Sequence, residues 1–104
     1  MLLLKMSIIF GIKTIGKERI ATLCDEACFG KKYDNNEIEF FVNPRFYSGE
    51  IKRKEEISSE IKNATIINAV GEESVSFCLK MGLINEENII KINNLVHCQI
   101  VKMF

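Results

Sequence analysis

The residues of this chain best suited to chemistry are four cysteines and one histidine: Cys24, Cys28, Cys78, His97 and Cys98. Three residues separate Cys24 from Cys28, and His97 adjoins Cys98. Thiolates are the soft ligands that iron–sulfur clusters require, and four protein ligands are the usual complement. Cys24, Cys28, His97 and Cys98 therefore form a candidate metal-binding set, provided that the C-terminal segment packs against the segment carrying the first two. The competing reading is structural. Cys24 and Cys98 would fill core positions as small hydrophobes, and Cys28 would be a loop thiol, the most reactive of the four. Cys78 lies on the apolar stripe of a predicted helix and reads as core. His97 lacks a carboxylate neighbour, and the adjacent Cys98 side chain points elsewhere, so a catalytic Cys–His pair is a distant third reading beside a partly buried, hydrogen-bonded histidine.

The elements that must position these groups are clearest at 64–82. Residues 64–70 form a nearly continuous apolar run rich in β-branched side chains, the pattern of a strand covered on both faces. Gly71 breaks it, and Glu72 and Glu73 then place carboxylates at the positive end of a helix macrodipole. Val75, Cys78 and Leu79 recur at helical spacing, and Gly82 suits the left-handed residue that closes a helix. Asn68 and Gly71 would sit at the carboxyl end of this strand, where open α/β sheets bind ligands, so they are candidates to line a crevice. The two glutamates would repel a phosphate there, which favours plain helix capping.

Upstream, 7–13 and 18–25 read as strands joined by a tight turn at Gly16, and 37–42 as a third strand ended by Asn43-Pro44. Residues 27–36 read as a polar loop. Residues 50–62 read as a charged helix with a thin stripe of Ile51, Ile57 and Ile61. Downstream, 88–92 reads as a fifth strand. Asn94 suits the cap of a short terminal helix through Lys102, and residues 95–104 fit helix and strand almost equally. The order β-β-β-α-β-α-β-(α) predicts an α/β domain with a mixed five-stranded sheet, and it is shared by the three-layer ribonuclease-H-like architecture. Nucleases of that architecture need a carboxylate on the first strand to hold divalent metal. Residues 7–13 contain none, which argues against nuclease activity.

Two stretches, Phe40-Phe41-Val42-Asn43-Pro44 and Ala64-Thr65-Ile66-Ile67-Asn68-Ala69-Val70-Gly71 with its continuation Cys78-Leu79-Lys80-Met81-Gly82-Leu83, resemble the dinitrogenase iron–molybdenum cofactor biosynthesis family. The resemblance spans about residues 7–92. It implies a ribonuclease-H-like domain that binds or carries an iron–sulfur or iron–molybdenum type cluster without catalysing a reaction, alongside other cofactor-assembly proteins. That family carries a loop between its first two strands ending in a His-Phe-Gly-type motif. The comparable stretch here is Cys28-Phe29-Gly30, so the resemblance implies cofactor contacts at Cys28, Phe29 and Gly30. The strand pattern instead puts these residues after the second strand and leaves only the turn at Gly16 between the first two. On that reading the cofactor loop is lost and the domain is a protein-interaction module with no cofactor.

Composition bounds the remainder. The 104 residues make one domain, 1–104, whose core can bury somewhat over ~60% of the unfolded surface. Fourteen basic and fourteen acidic side chains cancel, so no charge excess points to nucleic acid or an anionic membrane. The apolar run in residues 1–6 is too short for a secretory leader, and these residues read as extra to the domain or disordered. The expectation is a cytoplasmic protein with reduced thiols; the oligomeric state is open, a homodimer included.

Overall fold

The structure is a computed structural model that describes residues 7–102, so the expectation for residues 1–6 lies outside it. The chain builds a mixed α/β fold from a six-stranded sheet, a separate two-stranded sheet and two helices. Strands β1 (Ile8–Ile15) and β2 (Glu18–Asp25) form the predicted hairpin, with Gly16 at φ 60 in its two-residue turn. That tight turn leaves no loop between them, and Cys28-Phe29-Gly30 follows β2, with Cys28 in a 3₁₀ turn over Glu26–Cys28. The loop implied by the family resemblance is therefore absent from this position.

The third strand was expected beside this hairpin and lies elsewhere. Strand β3 (Lys32–Asp34), within the expected polar loop, pairs with β4 (Glu39–Phe41) in the small sheet. The expected helix over 50–62 is divided. Strand β5 (Glu50–Lys52) pairs with β1, and helix α1 (Lys54–Glu60) begins only after Arg53. The reason is local: Gly49 lies against the backbone of Phe10 and delivers the next residues to the edge of β1. Ile51 then stands exposed on the strand, while Ile57 and Ile61, four apart, bury the inner face of the helix and the 3₁₀ turn that follows.

Strand β6 (Ile66–Val70) and helix α2 (Glu72–Lys80) fall where the sequence predicts, and Gly82 takes φ 73 just past the helix. Strand β7 (Ile89–Ile92) is the predicted last strand, but it is followed by β8 (Leu95–Val101), not a terminal helix. Asn93 at φ 58 turns the chain in two residues, so 95–101 must return as an antiparallel partner. β8 also supplies the hydrogen-bonding neighbour that the free edge of β6 requires.

The main sheet runs β5-β1-β2-β6-β8-β7, with β2 and β6 parallel and the other neighbouring pairs antiparallel. It thus has six strands where five were expected. Strand alternation divides its side chains between two cores. Both helices cover one face, where Leu23, Ile67 and Cys98 meet Ile57, Val75 and Cys78. On the other face, Val42, Tyr47 and the inner side chains of the small sheet cover Ile9, Cys24, Val70 and Leu95.

Candidate functional site

The parallel pairing of β2 with β6 puts Cys24 beside Val70, so the next residues, Asp25 and Gly71, meet at one rim of the sheet. Gly71 holds φ 102 and ends in contact with the Asp25 side chain, leaving no room for a Cβ. The carboxylate then closes the start of α2. Asp25 Oδ1 accepts from the Ser74 amide at 2.8 Å and the Ser74 hydroxyl at 2.7 Å, and Oδ2 accepts from the Glu73 amide at 3.0 Å. A residue 48 positions upstream of Glu73 thereby supplies the cap that Gly71 cannot. Gly71 belongs to this packing. Asn68, half-buried, faces away from the helices and lies between Thr22 and Gln99 in a lateral row. The crevice expected at Asn68 and Gly71 is filled at its Gly71 end by a carboxylate of the chain itself.

The sulfur atoms divide between the two cores. Cys24 is fully buried under the small sheet and donates to the Asp25 carbonyl at 3.2 Å. Burial pushes its thiol up to about 12, with Cys28 and Asp25 nearby adding to the shift. Cys28 packs against the same cluster as Tyr33; burial raises its pKa too, and the neighbouring Tyr33 hydroxyl works in the opposite direction. Tyr33 is raised to about 12 by burial and by its Cys28 neighbour. Burial thus disfavours the thiolate at both positions, the reverse of an activated nucleophile.

His97 shares this face. Its ring stacks on Phe40 with centroids 4.6 Å apart and planes 6° from parallel, and burial lowers its pKa. Cys98, the next residue along β8, points through the sheet into the helical core, which it shares with Cys78. The neighbouring Cys98 thiol and burial both raise the Cys78 pKa. The candidate set is thus split, with Cys24, Cys28 and His97 on one face and Cys98 on the other. Among the described residues, no group of three or more His, Cys, Asp or Glu side chains is placed to hold a metal ion. Phe29 is over a third exposed, and Gly30 takes φ 78 and meets Pro44; both belong to the outer turn of the cap.

The opposite border of the sheet is built differently. Strand β7 reads Ile-Ile-Lys-Ile, and Ile90 is 51% exposed. The Gly71 amide donates to the Val96 carbonyl at 2.8 Å, so the polar groups of Val96 face β6, and those of Leu95 and His97 face β7. Their β7 partners, Ile92 and Ile90, are satisfied by β8, which leaves the amides and carbonyls of Ile89 and Lys91 aimed outward. Beside this edge runs a groove floored by Val75, Leu79, Ile89 and Val96. It widens to about 560 Å³ between Leu79, Glu86, Ile89 and Lys91.

The other edge is blunted. Strand β5 has three residues, two of them charged, and Lys52 is held by Glu60 at 2.6 Å. A cleft of about 390 Å³ where β5 meets α1 is lined by Lys52, Arg53 and Lys54. All three are paired, Arg53 with Glu56 at 3.7 Å and Lys54 with Glu73 at 3.0 Å.

Fold and surface together define a small mixed α/β domain with one capped rim and, among the described residues, one open, isoleucine-rich strand edge. The chain belongs to the family described as "Protein of unknown function (DUF424)", which it matches over residues 13–103. It is also similar to an uncharacterized conserved protein from Methanopyrus kandleri, known from its crystal structure. That chain is 23% identical, 90% of each chain is covered and the TM-score is 0.76, a likeness of fold. No curated protein matches. Among the described residues, no helix is long and apolar enough to cross a membrane.

Sequence reasoning missed Asp25, Tyr33 and the β7 edge. The signal for Asp25 was its position at the end of a strand, which becomes informative only once the parallel partner is known. The Ile-Ile-Lys-Ile run was legible as a strand, but nothing in it marks an edge.

Proposed function

We propose that this domain is a protein-interaction module that docks its partner along β7 and the groove beside α2, and carries no catalytic chemistry of its own. The observation that carries this reading is a strand edge unpaired among the described residues, three of whose four residues are isoleucine, opening onto a groove with an apolar floor bordered by Glu72, Glu73 and Lys91. Outward amides and carbonyls add affinity by strand addition, and the groove supplies side-chain selectivity. A photo-crosslinking amino acid at Ile90 in the native host tests it, with the same group at Lys17, on the distant β1–β2 turn, as control. Adducts of defined mass at Ile90 and not at Lys17 support the reading. The same adducts at both positions, or none at Ile90, overturn it.

A second reading, carriage of an iron–sulfur or iron–molybdenum type cluster beside other cofactor-assembly proteins of the cytoplasm, has one observation in its favour: Cys24 and Cys28 share one apolar cluster with Tyr33. The finer ribonuclease-H-like assignment draws support from the first hairpin, the parallel strand and its helix, and is opposed by the separate sheet of β3 and β4. Anaerobic reconstitution with iron and sulfide separates the two functions. A visible chromophore lost in Cys24→Ser and Cys28→Ser favours the carrier, and a colourless protein favours the docking module.

A further inference from the structure

We propose that the occupant of the β7 edge is β7 of a second copy of this chain, joined across a two-fold axis into a continuous twelve-stranded sheet, six strands from each copy. The proposal rests on the interaction-module reading and deepens it.

Backbone geometry limits the pairing. Only Ile89 and Lys91 offer outward amides and carbonyls, so these residues must form the hydrogen-bonded pairs of any added antiparallel strand. A two-fold axis permits three central registers. In the first, Lys91 faces Lys91 of the second copy, which opposes like charges directly. In the second, Ile90 faces Ile90, and each Lys91 pairs with Ile89 of its neighbour, so both outward residues join the ladder. In the third, Ile89 faces Ile89 and Lys91 faces Glu87, but Glu87 lies in the 3₁₀ turn Glu86–Asn88, so only one residue pair continues the sheet.

Strand length excludes the third register, since residues 86–88 are not strand, and charge favours the second over the first. Among the described residues Lys91 is in no ion pair, and Glu86 lies just upstream of β7 beside the same groove. With Ile90 at the axis, Lys91 of each copy is carried toward Glu86 of the other, so two complementary contacts form on the helix-covered face. On the opposite face the two exposed Ile90 side chains cover one another at the axis. The net charge of zero adds no long-range repulsion between identical chains. The β5 edge, Glu50-Ile51-Lys52, is also self-complementary about Ile51, but it has only three residues and Lys52 is already held by Glu60.

A four-residue edge predicts a modest interface with roughly micromolar dissociation. Sedimentation equilibrium of the purified full chain, across concentrations spanning that range, tests the proposal. The wild type sediments as a dimer that dissociates on dilution. Ile90→Lys places two cations on the axis and gives a monomer. Lys91→Glu weakens association at least tenfold, and Lys91→Glu with Glu86→Lys restores it. Ile90 and Lys91 are exposed, so unchanged circular dichroism separates lost assembly from lost folding. A monomeric wild type overturns the proposal, as does a dimer that survives Ile90→Lys. The interaction-module reading is judged apart from it by the Ile90 crosslink: a heterologous adduct retains that reading when self-association fails, and no adduct removes both.

Discussion

Replacing Asp25 with alanine removes at one stroke the acceptor for the Ser74 amide, the Ser74 hydroxyl and the Glu73 amide. Loss of a helix cap costs about 1 kcal/mol. Ser74 is fully buried, so its polar groups are stranded away from water, which adds about 1–3 kcal/mol. The sum is about 3 kcal/mol, a large share of the roughly 5–15 kcal/mol that holds a domain of this size. Urea denaturation followed by circular dichroism should show the midpoint falling by roughly 1–2 M with an unchanged slope. Asp25→Asn keeps one acceptor oxygen and turns an NH₂ group toward a backbone amide, so it should lose about half as much. A cycle with Ser74→Ala isolates the hydroxyl contact, and the double variant should be less destabilised than the two single losses added together. An Asp25→Ala protein within about 0.5 kcal/mol of the parent would refute the claim that this carboxylate joins the β2 rim to α2.

Gly71→Ala combines positive φ with a collision against the Asp25 side chain, and should cost about 2–4 kcal/mol in the same assay; a loss under about 1 kcal/mol contradicts the packing. Thr22 is fully buried and its hydroxyl has no hydrogen-bond partner among the described residues, so Thr22→Val should stabilise by about 1 kcal/mol, and a destabilised variant would reveal a partner. Burial lowers the His97 pKa, so the unfolded chain takes up the proton first as the pH falls. Stability contributed by neutral His97 is complete above its ordinary value near 6.5, is lost as the pH drops below it, and levels off once the folded form is also protonated. Stability measured against pH should show this acid-side loss in the parent and a flatter profile in His97→Gln; identical profiles would contradict it.

Where local pattern and tertiary demand coincide, the sequence reports the structure. The hairpin of β1 and β2 is legible because Gly16 marks the turn, and β6 with α2 because a buried β-branched run meets a glycine and then a helical stripe. In the stretch from 32 to 52 only β4 is legible, inside the strand read at 37–42; β3 and β5 are three residues each, too short for alternation to register, and β5 depends on contact with the distant β1. Residues 95–101 carry no decisive period, and only the two-residue turn at Asn93 and Asn94 makes them a strand. The split between His97 and Cys98 follows from that assignment at once, because neighbours in a strand face opposite ways. The proximity of Asp25 to Gly71 depends on a parallel register between segments far apart in the chain, which no local feature encodes.

The most direct test of the docking edge is amide hydrogen exchange along β7, residue by residue, on the assembled and the diluted protein. Ile90 and Ile92 are bonded to β8 and should be protected in both, whereas Ile89 and Lys91 should be protected only when the edge is occupied. If the amides of Ile89 and Lys91 exchange freely at every concentration, and with every partner captured by the Ile90 crosslink, strand addition at β7 is contradicted.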